Sequence, residues 1–101
     1  MIDRFIRSSA LALSLAAAAP ALAAAPHYRA EPLAAPAADR LVVRGTAWRC
    51  DAAACTAPAM NSRPALVCAS LVRDLGALKS FSVAGRPLPA DALEKCNARA
   101  R

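Results

Sequence analysis

The residues able to do chemistry in this 101-residue chain are four cysteines, Cys50, Cys55, Cys68 and Cys96, and little else. A thiol can ligate zinc, act as a nucleophile, exchange electrons or pair into a disulfide, and spacing separates these uses. Zinc ribbons and fingers bring their ligands as two closely spaced pairs. Cys50 and Cys55 could form one such pair, but Cys68 and Cys96 stand 28 positions apart and make a poor second. Redox dithiols use C-x-x-C, whereas this chain has C-x4-C. An activated nucleophile needs a base, and the one histidine, His27, falls in a proline-punctuated stretch away from the cysteines. An even count in a chain bearing an export signal points instead to two disulfides. Three pairings are possible. The preferred one joins Cys50 to Cys55 across a hairpin and Cys68 to Cys96 between two helices, because both helical cysteines lie on apolar faces that must meet. No metal and no other cofactor is expected.

The remaining polar residues make no catalytic constellation. Asp39, Asp51, Asp74, Asp91, Glu31 and Glu94 form no carboxylate pair except Asp91 and Glu94, whose place at a helix start is electrostatic. The three glycines are isolated, so no phosphate-cradling loop exists. The chain therefore reads as a protein without catalysis. Trp48, flanked by Arg49 and near Arg44 and Asp51, is the best candidate contact surface, although a tryptophan beside a disulfide commonly covers a small core instead.

Residues 62–76 read as an amphipathic helix. Ser62 suits the N-cap, Pro64 the first turn and Gly76 the left-handed position that ends a helix. Val67, Cys68, Ala69, Leu71, Val72 and Leu75 share one arc with Ala65 alongside, while Leu66 is stranded among polar residues. Upstream, residues 40–50 have strand propensity, with Gly45 as a bulge, and residues 51–54 turn into a short return strand, Cys55 to Ala57. Downstream, Phe81 and Val83 alternate with serines as a half-buried strand, and residues 84–87 turn the chain. A second helix follows from Ala90 to about Asn97, with Leu88 and Leu93 placed for a hydrophobic staple and Asn97 as its C′ residue. The expected fold is α+β, a small disulfide-stapled domain of order β-β-α-β-α whose short antiparallel sheet packs on two helices. Some sixty residues with few large side chains cannot bury enough surface to fold without staples.

The N-terminal part is expected to stand apart from this domain. Arg4 and Arg7, an Ala/Leu run and Pro20-Ala-Leu-Ala have the layout of a secretory signal peptide cleaved after Ala23. The run is too short and Ala-rich for a membrane anchor, so no span is expected once it is removed. Residues 24–39, carrying Pro26, Pro32 and Pro36, read as a flexible Ala/Pro-rich leader, with His27, Tyr28 and Arg29 solvated. The domain proper is placed at 40–101. From residue 24 onward there are eleven Lys and Arg, nine of them Arg, against six Asp and Glu, a net +5. That balance suits an anionic partner, but the charges are scattered and no specific nucleic-acid site is indicated.

The run Thr46-Ala-Trp-Arg-Cys-x4-Cys-Thr, then Arg63, Cys68, Leu71, Leu75-Gly, Ser80-Phe-Ser-Val, Gly85 and Leu93-x2-Cys-Asn resembles a family of small exported alphaproteobacterial proteins. The similarity covers residues 43–98, and Pro89 departs from it where a Ser/Thr-like N-cap is usual. The resemblance implies a shared fold and export, and no activity. The functional expectation is a periplasmic or secreted non-catalytic binding or structural module. Its partner would be a protein or an anionic component of the envelope. The alternative is a small inhibitor of an exported enzyme that projects the hairpin tip at residues 51–54.

Overall fold

Two-residue turns organise the sheet. At Arg44-Gly45 and again at Ala84-Gly85 the backbone takes φ of 50° and 74°, and 50° and 79°. Positive φ at both central positions is the type I′ signature, whose twist matches that of the flanking strands. Gly45 is thus the second residue of a tight hairpin between β2 (Arg40–Val43) and β3 (Thr46–Cys50), closed by Val43 opposite Thr46. It is not the bulge expected within one long strand. The computed structural model describes residues 25–101, so the expected signal peptide at residues 1–23 lies outside the described residues.

The chain runs β1 (Tyr28–Pro32), β2, β3, β4 (Cys55–Ala57), α1 (Pro64–Leu75), β5 (Leu78–Val83), β6 (Arg86–Pro87) and α2 (Ala90–Asn97). The six strands form one antiparallel sheet in the order β2-β3-β4-β1-β5-β6. The α+β class, the helices and the disulfide staples are as the sequence predicts, with extra strands.

The largest departure concerns the leader. Tyr28–Pro32 is a central strand, paired with β4 on one side and β5 on the other, Tyr28 lying opposite Ala57 and Val83. The reading of residues 24–39 as a flexible segment outside the domain is therefore corrected, and the folded unit begins before residue 40. Prolines do not forbid this strand. Pro32 sits at its end, where the register with β5 shifts between Glu31 and Pro32, so the missing N–H interrupts no long ladder. Beyond it the Leu33 N–H donates to the Ala77 carbonyl at 3.0 Å.

Alternation along the strands sends one set of side chains under the helices. Tyr28, Ala30, Val43, Trp48, Cys55, Ala57, Leu78 and Phe81 meet Val67, Cys68, Leu71 and Val72 of α1 and Cys96 of α2 in one buried cluster. Tyr28 stands between the other two large rings, with centroids 5.9 Å from Trp48 and 5.8 Å from Phe81. Ala57, on the strand between β3 and β1, is small enough to let Trp48 reach Tyr28 across it. Such aromatic pairs add about 0.5–1.5 kcal/mol to the burial itself.

α1 buries Val67, Cys68, Leu71 and Val72 of the expected arc, while Ala69 and Leu75 are half-buried, Ala65 is exposed, and Leu66 is stranded at 48% exposure. Its N-terminus differs. Arg63 holds the cap position with no side-chain hydrogen bond, and the Ser62 hydroxyl accepts from Arg44 instead. At the other end Gly76 takes φ 78° and donates its N–H to the Val72 carbonyl at 2.8 Å. Asn97, foreseen as a cap residue, is the last residue of α2 and does another job. Its side chain accepts from the Leu78 N–H at 2.8 Å and donates to the Leu78 carbonyl at 2.9 Å, which docks α2 on the start of β5. No helix among the described residues is long and apolar enough to cross a membrane.

Candidate functional site

The two disulfides are Cys50–Cys55 and Cys68–Cys96, and the structure shows no free cysteine. Cys50 and Cys55 are cross-strand partners of β3 and β4, with Cα atoms 4.0 Å apart. Cys68 and Cys96 join α1 to α2 beneath the surface, at 0% and 5% exposure. These sulfurs are structural.

The four residues expected to form a contact surface stand in four different places. Trp48 is 0% exposed in the core beneath the helices, so it cannot be a contact residue. A large indole in a protein with few bulky side chains is worth more inside, even though its Nε1 is left without a hydrogen-bond partner there. Arg49, one position on, points to the opposite face of the sheet. Arg44 lies in the turn at the far end of β3, its Nε donating to Ser62 Oγ at 3.2 Å and its Nη1 to Ser70 Oγ at 3.5 Å.

Asp51 is occupied by the β3–β4 turn. Its Oδ1 accepts from the Ala53 and Ala54 amides at 2.7 and 2.8 Å, and its own N–H donates to the Ala54 carbonyl. The Ala54 and Ala53 amides together hold its carboxyl below the ordinary 3.8, with a smaller pull from the Arg29 guanidinium. The depression is the work of a turn and marks no acid-base role.

The helices cover one side of the sheet and leave the other bare. Pairing across the strands places Arg40 opposite Arg49, Arg49 opposite Thr56, Thr56 opposite Arg29 and Arg29 opposite Ser82. One row across the open face thus carries three arginines. The adjacent pair Val42 and Ala47 is also exposed, Val42 at 68%. Arg29 pairs with Glu31 at 3.3 Å, the one ion pair among the described residues. Arg40 and Arg49 face each other as like charges on neighbouring strands, an unfavourable arrangement without an anion. In sequence Arg29 reads as a solvated leader residue and Arg40 carries no signal, because the row exists only once β1 and β2 are aligned with β3 and β4. The alternation Tyr28-Arg29-Ala30-Glu31 was the available signal.

The molecule thus belongs among small disulfide-stapled α+β domains with an open basic sheet face. Over residues 12–98 the chain matches a family of unknown function, DUF8200, and belongs to it. No curated protein and no solved structure matches the chain.

Proposed function

We propose that this protein is an exported, non-catalytic binding module that meets an anionic surface of the cell envelope with the open face of its sheet. The observation that carries the reading is the unneutralised cross-strand pair Arg40–Arg49 beside exposed Val42. Two guanidiniums held a strand spacing apart suit phosphate or carboxylate groups displayed side by side, and the apolar patch suits the boundary beneath head groups. Export is supported by the signal-like N-terminus and by two disulfides in so small a domain, which persist in an oxidising compartment. The inhibitor reading draws less support, because the tip at residues 51–54 bonds inward and offers a partner mainly the methyls of Ala52 and Ala53.

Co-sedimentation with vesicles containing anionic lipid tests the proposal. The bound fraction should fall between about 20 and 150 mM salt as screening shortens. It should also fall several-fold in Arg40→Ala/Arg49→Ala, while vesicles of neutral lipid bind little. Equal binding of the double variant and the parent at low salt would exclude this face. Retained inhibition of an envelope hydrolase by the same variant would favour the hairpin tip.

A further inference from the structure

A second surface, on the helical side, has a different character. Residues of α1 and α2, with Arg44 and Arg99, line an open groove of about 490 Å³ beside Cys96. Pockets that take small ligands are of this size. Its floor is apolar, from Leu66, Ala69 and Ala92, and Leu66 remains 48% exposed because nothing in the fold covers it. Four cations stand around it, Arg44, Arg73, Lys95 and Arg99, and no carboxylate lines it. The α2 contribution follows from helical spacing, since Ala92, Lys95 and Cys96 recur on one stripe, and Arg99 follows in the turn just past the helix.

Of these charges, Arg44 is the one with side-chain hydrogen bonds among the described residues. It arrives from the β2–β3 turn and is held by the hydroxyls of Ser62 and Ser70, partners that orient a guanidinium without neutralising it. None of the four cations has an ion-pair partner among the described residues. A preorganised cation over an apolar floor favours a ligand with both features. A free phosphate would leave the floor exposed to water, and a neutral lipid would leave the cations unanswered.

We propose that the interhelical groove is a binding site for a single-chain anionic amphiphile, its acidic head on the rim cations and its alkyl chain along Leu66, Ala69 and Ala92. The site is separate from the open sheet face, so either proposal can fail alone. Titration of the oxidised protein with decyl phosphate, below its micelle concentration and followed by backbone amide shifts, tests it. Shifts are expected in α1, α2 and the Arg44 turn, with affinity at least about tenfold above that for inorganic phosphate and for the uncharged decyl maltoside. Arg73→Ala/Arg99→Ala should weaken decyl phosphate about tenfold, whereas Arg86→Ala, which removes an exposed charge outside the groove, should leave it unchanged. Leu66→Ser should weaken decyl phosphate and leave inorganic phosphate unaltered. Four results would overturn the site: no saturable binding, shifts confined to the sheet, inorganic phosphate or decyl maltoside matching decyl phosphate, or an equal loss in Arg86→Ala.

Discussion

The meander β2-β3-β4 and the remainder of the domain are held by opposite means. In the meander each strand pairs with its neighbour in sequence, through a two-residue turn at Arg44-Gly45 and a four-residue turn pinned by Cys50–Cys55, five positions apart. In the remainder, apart from the local β5–β6 hairpin at Ala84-Gly85, the contacts are distant. Tyr28 pairs with Val83, Asn97 clamps Leu78, and Cys68 reaches Cys96 across 28 positions. The meander can form early from local contacts, but it buries Trp48 only when β1 and the helices arrive. Its stability is borrowed from the long-range half.

The hardest test of that asymmetry removes β1. A chain beginning at Ala34 lacks Tyr28 and leaves facing edges of β4 and β5 unpaired, so its cooperative denaturant transition should vanish. Tyr28→Ala alone should cost about 3–5 kcal/mol. A truncated chain that still unfolds cooperatively with the parent's slope would show that residues 40–101 are self-sufficient.

The two disulfides give the next contrast. By loop-closure entropy Cys68–Cys96 contributes about 3.6 kcal/mol and Cys50–Cys55 about 2.2. The double alanine variant at the helices should therefore have the lower denaturant midpoint, by more than the entropy difference because buried packing is lost as well. Equal midpoints, or a worse hairpin variant, would make the meander the true core.

Asn97→Ala sharpens the comparison at a single residue. It strips both side-chain partners from the Leu78 backbone and should cost about 1–3 kcal/mol, read as a lower midpoint with the slope unchanged. A loss below about 0.5 kcal/mol would mean water replaces the clamp without penalty.

The smallest effect belongs to the meander's own tip. Asp51 has a folded-state pKa below its ordinary 3.8. Its ionised form therefore adds stability that is fully present above that value and is lost as pH falls through the folded pKa. Asp51→Asn keeps an acceptor for the Ala53 and Ala54 amides but not the charge. The variant should be slightly less stable than the parent at neutral pH, and the gap should close below pH 3.8. A gap that is constant with pH would place the effect in the turn geometry alone.

Much of this was written locally. The arc Val67-Cys68-Leu71-Val72 determined which face of α1 is buried, and Pro64 and Gly76 marked its ends. The turn chemistry of residues 51–54 put Cys50 opposite Cys55, and two apolar helix faces bearing Cys68 and Cys96 had little choice but to meet. Each depends on residues a few positions apart, or on one strong constraint per element. What the tertiary structure alone decided is the place of β1 and the grouping of distant charges on the two candidate surfaces. A five-residue strand ending in proline has weak propensity of its own, and its partners lie more than twenty residues downstream in β4 and about fifty in β5. Only their hydrogen bonds and the cavity between Trp48 and Phe81 make Tyr28 a core residue. Arg29, Arg40 and Arg49 become one row, and Arg44, Arg73, Lys95 and Arg99 one rim, because strand register and helix packing bring distant positions together.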